Sequence, residues 1–213
     1  MRSLTPAGLS VANTVREASL FEGLTLRVAT PNERGEVLHF RSAIYRQELG
    51  APGIDRFDDL AHHLIACDST GQIIATLRIV GPEHRPFDLE QLFDLTTILE
   101  AGRIPAEISR FCIAKEHRHI HRSQMVHVGM LKLVHEFSTR NHLTDLFTLG
   151  LPHLKNLYRI GFFSTVGDPC DHPIWGRTEL MRLDIDAVRH RYEHSSSSMA
   201  RLLFRTNLPN IVV

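Results

Sequence analysis

The chain has 213 residues, of which 43% are hydrophobic and 23% charged, a globular composition that excludes disordered, collagenous and coiled-coil proteins. This length predicts one domain, or one domain with a small appendage. The 24 basic and 24 acidic residues cancel, so no global charge attracts nucleic acid or an anionic membrane. Any electrostatic partner must therefore bind a local patch.

The cysteine content and the N-terminus indicate a cytoplasmic protein. Cys67, Cys112 and Cys170 include no C-x-x-C pair, and their odd number argues against a disulfide scaffold. Polar residues interrupt the apolar ones near the N-terminus, so no signal-peptide core is expected. No apolar run reaches the roughly 18 residues of a membrane helix, so we expect no integral membrane segment.

The first predicted elements are a strand, a helix and a hairpin. Residues 24–29 alternate apolar and polar side chains, as a half-buried strand does. Thr30, Pro31 and Glu33 supply a cap, a first-turn proline and an acid three residues after the cap, which predicts a helix start. The elements predicted here are the strand 24–29, a helix from 30 to about 49, and antiparallel strands 62–67 and 72–80.

The rest of the chain continues the alternation of helices and strands. The predicted elements are helices at 89–99, 123–140, 152–160 and 186–194 and strands at 107–114, 143–149, 162–166 and 179–184. This order predicts a mixed α/β sheet. We divide the chain into an N-terminal extension at 1–23 with a short helix near Val11–Leu20, a main domain at 24–194, and a C-terminal linker and tail at 195–213.

Six charged residues occupy positions where the fold pattern gives no reason for a charge. Each has an ordinary interpretation, because an arginine in a strand is commonly on an exposed face and an aspartate pair in a loop commonly forms a turn. Together they supply three acids and three arginines from four elements that one sheet can bring side by side. The six are Arg41, Asp55, Asp58, Arg78, Glu107 and Arg110.

These residues belong to motifs that resemble a known family. The motifs are R-x-x-x-[YF] on the first helix, D-x-F-D at 55–58, HLIACDSTGQIIATLRI at 63–79 and E-I-S-R-F-C-I at 107–113. They resemble the N-acyltransferases related to acyl-homoserine-lactone synthases, and most of all the long-chain N-acyl amino acid synthases, over residues 36–190. The L-Y-R-I-G-F at 157–162 is similar to a junction of the wider GNAT superfamily, and the F-D-L at 87–89 is shared with ornithine-lipid acyltransferases.

The resemblance implies a GNAT-like α/β fold, with a mostly antiparallel sheet flanked by helices and splayed between two central strands. It implies transfer of an acyl chain from a thioester, usually on acyl carrier protein, to the amine of an amino acid. Its substrate-binding positions would be Arg41, Tyr45, Asp55, Asp58, Arg78 and Arg110. The co-substrate would be the acyl-phosphopantetheine of acyl carrier protein or coenzyme A, with no tightly bound cofactor.

Three departures from the homoserine-lactone synthases argue against that particular product. The position of their tryptophan corresponds to a residue near Ala51, and Gly53 stands in place of an acid. The segment from Arg41 to Asp55 is also shorter. The departures leave the expectation of acyl transfer in place.

Two residues are candidates for proton transfer. A free α-amino group has a pKa of about 7.7–8.0, so part of it must lose a proton before it attacks a thioester. Glu107 is the candidate base, a role typically worth about 10²- to 10⁴-fold, and the alternative is a structural ion pair with Arg110 or Arg78. Tyr158 is the candidate acid for the departing thiolate, and the alternative is that it only packs.

The resemblance also predicts where the donor binds. The phosphopantetheine arm would enter between diverging strands at 107–114 and 143–149, with its phosphate at the N-terminus of the helix that begins at Ser123. The basic segment 115–122 would meet an acidic carrier protein, or it is only a solvated loop. The predicted carrier-binding residues are Lys115, Arg118, His121, Arg122 and Ser123.

Other interpretations remain open. Four phenylalanines would line an acyl tunnel or belong to the core, namely Phe87, Phe93, Phe111 and Phe147. Fourteen histidines include no H-E-x-x-H or zinc spacing, so no metal site is predicted. The rival functions are an autoinducer synthase that consumes S-adenosylmethionine, an ornithine acyltransferase, and a non-catalytic module that binds an acyl carrier.

Overall fold

The computed structural model describes residues 21–213, which contain nine strands and five α-helices. The strands are β1 Thr25–Val28, β2 His62–Cys67, β3 Ile73–Val80, β4 Pro105–Ile113, β5 Asp145–Gly150, β6 Ser164–Thr165, β7 Cys170–His172, β8 Gly176–Asp184 and β9 Ile211–Val212. The helices are α1 Arg34–Leu49, α2 Ile120–Arg140, α3 Lys155–Ile160, α4 Ile185–Tyr192 and α5 Ser198–Phe204. None of the helices in this range is long and apolar enough to cross a membrane.

The strands form one sheet in the order β6-β8-β5-β4-β3-β2-β1-β9, with β7 paired to β8 as a hairpin. The pairs β4–β5 and β1–β9 are parallel, and the other pairs are antiparallel. The prediction of a mixed, mostly antiparallel sheet flanked by helices is therefore confirmed.

The two faces of the sheet differ in chemistry. Helix α2 packs its apolar stripe on one face, where Leu77, Ile79 and Ile108 join Val126 and Met130 in the main core. Helix α1 and the loop after it cover the opposite face of β2, β3 and β4. Since cross-strand neighbours point to the same side, this opposite face carries the charged side chains of β3 and β4.

A β-bulge in β4 brings an additional charge to the α1 face. Arg78 pairs with Ser109 and Thr76 pairs with Cys112, so Arg110 and Phe111 together oppose a single β3 residue. Arg110 has a φ of 59°, which lies in the left-handed region that side chains other than glycine seldom adopt. The extra residue restores the alternation and leaves the guanidinium of Arg110 on the α1 face.

Strands β4 and β5 separate soon after they begin. Their pairing is limited to Pro105–Asp145, Ala106–Leu146 and Glu107–Phe147, although β4 continues to Ile113. Beyond that point β5 stays paired with β8, and β4 stays paired with β3. The sheet is therefore splayed between its two central parallel strands, as the resemblance implied.

The C-terminal residues are part of the packed structure. The backbone N–H of Leu26 donates to the carbonyl of Asn210, where β9 pairs with β1. The buried ammonium of Lys132 on α2 donates to the carbonyl of Leu203 on α5 at 2.9 Å. The division at 24–194 and 195–213 stays a prediction, and the short helix predicted at Val11–Leu20 lies outside the described residues.

Several elements in the described residues differ from the prediction. The predicted helix at 89–99 is wrong, because this segment forms two 3-10 turns, Asp88–Gln91 and Leu95–Thr97. The Asp94 side chain accepts from the backbone N–H of Thr96, which starts a new turn there instead of continuing a helix. Helix α2 begins at Ile120, three residues before the predicted start, and the short strand β7 was not predicted.

The start of the first helix is as predicted. Thr30 precedes a 3-10 turn at Pro31–Glu33, which runs directly into α1. The carboxylate of Glu33 accepts from the backbone N–H of Thr30 and from its hydroxyl, both at 2.8 Å. It also accepts from Arg27 on β1, which ties the beginning of the helix to the sheet.

Candidate active site

The guanidinium of Arg78 is the centre of a buried ion cluster on the α1 face. Its Nη1 lies 2.5 Å from Oδ1 of Asp55 and 3.2 Å from Oδ1 of Asp58, and its Nε donates to the hydroxyl of Ser109. Its Nη2 lies 3.6 Å from Oε1 of Glu107. The Arg78 side chain is completely inaccessible to solvent, so these contacts replace the water that a cation would otherwise need.

Arg41 closes the cluster from helix α1. Its Nη2 lies 2.5 Å from Oδ1 of Asp58, and its Nε donates to the carbonyl of Gly53 at 2.6 Å. A Cβ at Gly53 would lie 2.6 Å from the Cα of Ser42, so only glycine lets the loop approach the helix this closely. The glycine that departs from the related synthases therefore has a structural reason in this chain.

Asp55 links the cluster to the bulge in β4. Its Oδ2 accepts from Nη2 of Arg110 at 2.5 Å, and the guanidinium of Arg110 lies 5.8 Å from the ring centre of Tyr45. Burial by itself would raise the pKa of Asp55, but the guanidiniums of Arg78 and Arg110 lower it to about 2. The structure thus brings together all six charged residues that the sequence singled out, from four separate elements.

A cavity of about 320 Å³ opens where β4 and β5 separate. One side of its lining consists of Arg78, Asp88, Glu107, Ser109 and Arg110, which we call the polar part of the cavity. Apolar residues of α2, α3 and the following turn line the remainder, among them Met130, Leu131, Leu157 and Phe163. Such a cavity accommodates a ligand with one polar region and one apolar chain.

Glu107 is buried and faces this cavity. Burial raises the pKa of its carboxyl group, although the N–H of Leu89 and the cation of Arg78 act in the opposite direction. Oε2 accepts from the backbone N–H of Leu89 at 3.0 Å. Leu89 lies in the first 3-10 turn, so the turn that replaces the predicted helix also holds the carboxylate. Glu107 has one long contact, 3.6 Å, to Arg78 and none within 4 Å to Arg110. Its carboxylate is therefore held by the N–H of Leu89 rather than by a close ion pair with either arginine.

Tyr158 also lines the cavity, from helix α3. Its hydroxyl donates to the carbonyl of Leu149 on β5 at 3.2 Å, and burial raises the pKa of the phenol. The ring lies near Phe163, so the residue packs as well as presenting a hydroxyl group. Both alternatives that the sequence left open for this tyrosine are compatible with its place.

The four phenylalanines considered for an acyl tunnel separate into two groups. Phe111 lines the cavity and lies near the ring of His127 on α2. Phe87 and Phe147 are fully buried in a second core cluster, and Phe93 packs against it. None of these three residues is among those that line the cavity, so their positions favour the core interpretation over the acyl tunnel.

The basic segment lies between β4 and α2. Lys115 and Arg118 lie in or directly after a 3-10 turn, and the side chain of Arg118 is already engaged with Glu48 and with the carbonyl of Ile113. His121 is exposed in the first turn of α2, and Arg122 and Ser123 are half-buried there. Because α2 begins at Ile120, Ser123 lies inside the first turn and does not cap the helix.

The sequence reasoning missed three residues beside the cavity. Asp88 lies in the F-D-L segment, which was noted only as a resemblance, and it lines the polar part. Trp175, the single tryptophan, reaches the cavity from the tip of the β7–β8 hairpin and packs edge-on against Tyr45 at 6.1 Å. Nδ1 of His172 accepts from the backbone N–H groups of that tip.

Within residues 21–213, no group of three or more His, Cys, Asp or Glu side chains is arranged to hold a metal ion.

The fold and the site together define the class of protein. A sequence model of the acetyltransferase (GNAT) domain matches residues 38–128, which include Arg41, the D-x-F-D motif, β3 and β4. Residues 38–128 therefore resemble a GNAT domain, and the described residues have the GNAT fold.

Solved structures with the same fold include N-acyl amino acid and homoserine-lactone synthases. FeeM, an N-acyl amino acid synthase from uncultured soil microbes, has a TM-score of 0.64 at 16% identity, over 76% of this chain and 91% of its own. BjaI, a coenzyme A-dependent acyl-homoserine-lactone synthase, has a TM-score of 0.61 at 15% identity, over 88% and 95%. LasI, an acyl-homoserine-lactone (AHL) synthase, has a TM-score of 0.59 at 15% identity, over 87% of this chain and 96% of its own. No curated protein matches the chain significantly.

Proposed function

We propose that this protein is an N-acyltransferase that moves a long fatty acyl chain from acyl carrier protein, or from coenzyme A, to the amine of an amino acid. One observation carries the proposal. A buried carboxylate with a raised pKa, Glu107, faces a cavity that has charged groups at one side and apolar groups at the other. The cavity lies at the point where β4 and β5 stop pairing.

The reaction joins the acceptor nitrogen to the thioester carbonyl and breaks the carbon–sulfur bond. The acceptor ammonium loses two protons on the way to an amide: Glu107 takes the first directly or through one water molecule, and the second replaces the proton that Tyr158 gives up. The raised pKa supports this role, since a stronger base accepts the proton more readily. The departing thiolate needs one proton, which the hydroxyl of Tyr158, lining the same cavity, can supply.

The donor arm fits the gap between the central strands. Beyond Glu107 the backbone of β4 has no pairing to β5, so an extended pantetheine can add to it as an extra strand would. A backbone N–H of β4 would then stabilise the oxyanion of the tetrahedral intermediate. The apolar lining around Met130 and Phe163 would contain the first part of the acyl chain.

The surface beside the cavity supports a protein as the donor. Leu49, the last residue of α1, lines the cavity and is 54% exposed, and Ile54 in the following loop is 45% exposed. Arg118 contacts Glu48 of the same helix. Together with the predicted cations of Lys115 and Arg122, these exposed apolar groups would suit an acidic carrier helix and its phosphate. A carrier of this kind would place the reaction in the cytoplasm, where the three free cysteines would stay reduced.

The test of this function is an acceptor screen with a matched pair of variants. Purified protein receives long-chain acyl carrier protein or acyl-coenzyme A together with a pool of amino acids, and mass spectrometry and a thiol assay follow the products. We expect an N-acyl amino acid and one free thiol for each transfer. Glu107→Gln should lower kcat by about 100-fold or more without changing donor affinity, whereas Glu100→Gln, an exposed acid outside the cavity, should match wild type.

Each rival function has its own result in this screen. Consumption of S-adenosylmethionine would identify an autoinducer synthase, and a preference for ornithine would identify an ornithine acyltransferase. Tight donor binding without thiol release for any acceptor would identify a binding module. Equal loss of donor binding and turnover in Glu107→Gln would reassign that residue to structure.

A further inference from the structure

The polar part of the cavity contains two opposite charges with unused bonding capacity. Asp55 and Asp58 do not line the cavity, and their carboxylates already bind the guanidiniums of the ion cluster. The sequence prediction that these two acids receive the acceptor therefore lacks support from the geometry. The charged groups that do face the cavity are Arg78, Asp88, Glu107 and Arg110.

Asp88 is the accessible acid of this set. Its side chain is 32% exposed, whereas that of Glu107 is 4% exposed. Oδ1 of Asp88 accepts one hydrogen bond, from the side chain of Gln91 at 2.7 Å. The other oxygen, Oδ2, lies 4.0 Å from Nη2 of Arg110, which is too far for a hydrogen bond. This carboxylate can therefore accept further donors.

Arg110 is the matching cation. One nitrogen, Nη2, binds Asp55, while Nε is buried without a hydrogen-bond partner among the described residues. A guanidinium has five N–H donors, and the one bond to Asp55 leaves donors of this cavity-lining side chain for a carboxylate that enters the cavity. The bulge in β4 fixes this guanidinium beside Asp88.

We propose that Asp88 binds the ammonium group of the acceptor and Arg110 binds its carboxylate, so that the acceptor is recognised as an α-amino acid zwitterion. The inference rests on the proposed function and deepens it by naming the acceptor contacts. An α-amino acid carries its two charges on adjacent carbons, which matches an acid and a guanidinium whose nearest atoms lie 4.0 Å apart, side by side in the cavity lining. Asp88 then delivers the nitrogen beside Glu107, and the negative charge of Asp88 also raises the pKa of that neighbour.

Acceptor binding tests this inference without requiring turnover. Wild type, Asp88→Asn and Asp88→Glu are dialysed to equilibrium against the twenty common amino acids, and against the corresponding amino acid amides, in the presence of coenzyme A. The asparagine variant keeps an oxygen for Gln91, so the turn should keep its shape. Asp171→Asn, an exposed acid on β7 outside the cavity, is the matched control.

We expect wild type to retain at least one amino acid and to bind its amide about ten- to hundredfold more weakly, because the amide lacks the carboxylate for Arg110. Asp88→Asn should weaken amino acid binding by a similar factor, Asp88→Glu should recover part of it, and the affinity for coenzyme A should not change.

Equal binding by wild type and Asp88→Asn would overturn the inference, and so would equal binding of amino acid and amide or no amino acid binding at all. Amino acid binding that depends on Asp88, without acyl transfer to any acceptor, would instead support the inference and refute the enzymatic function.

Discussion

Removal of one negative charge from the ion cluster should greatly lower the protein's free energy of unfolding. In Asp58→Asn the shape is kept, but the carboxylate 2.5 Å from Arg41 and 3.2 Å from Arg78 becomes neutral. The three arginines of the cluster would then face two acids, with no water to compensate, since Asp58 is 1% exposed. Breaking a buried pair of this kind typically costs about 3–5 kcal/mol.

The neighbouring residue provides the control. Asp59 is 77% exposed in its side chain and lies 3.4 Å from Arg34 at the surface, so Asp59→Asn should cost less than about 0.5 kcal/mol. Urea denaturation followed by circular dichroism measures the free energy of unfolding of both variants. A loss in Asp58→Asn no larger than in Asp59→Asn would refute the argument that the cluster depends on balanced charge.

Two further predictions concern the same cluster. The pKa of Asp55 is about 2 when folded and about 3.8 when unfolded, so its contribution is present above pH 3.8 and is lost as the pH falls through 2. Between pH 5 and pH 2 wild type should therefore lose about 2 kcal/mol more stability than Asp55→Asn, and parallel acid curves from urea titrations would contradict this. Gly53→Ala should destabilise by more than about 1 kcal/mol, because its Cβ meets the backbone of Ser42, whereas Gly35→Ala on an open helix surface should be neutral or stabilising. Thermal unfolding compares the two alanine variants, and equal melting temperatures would exclude the close approach as the reason for the glycine.

The strands and long helices could be predicted because their patterns are local. The two largely apolar runs in 62–80 with a turn between them, and the helical spacing in α2, are local signals, and both elements are present in the structure. The convergence of the six charged residues could also be proposed, since charges inside otherwise apolar strands need partners when they are buried.

The missed features depend on contacts between distant segments. The segment 89–99 has apolar residues at helical spacing, yet the N–H of Leu89 bonds to Glu107 from another strand. Asp88 gave no signal, because an acid beside a turn is common and its position over the cavity follows from that same contact. The side chain of Trp175 reaches Tyr45 only because the β7–β8 hairpin folds back toward it, and no local sequence pattern predicts this position of the hairpin.

The left-handed backbone at Arg110 gives this position two opposing requirements. Selection for folding alone would favour glycine there, since a residue with a Cβ costs about 1–2 kcal/mol in that conformation. Glycine, however, would remove the Arg110 guanidinium from Asp55 and from the cavity. Sequences that keep this fold but not the proposed acceptor site should therefore drift toward glycine at the bulge, which makes this single position an indicator of whether a distant homologue keeps the proposed function.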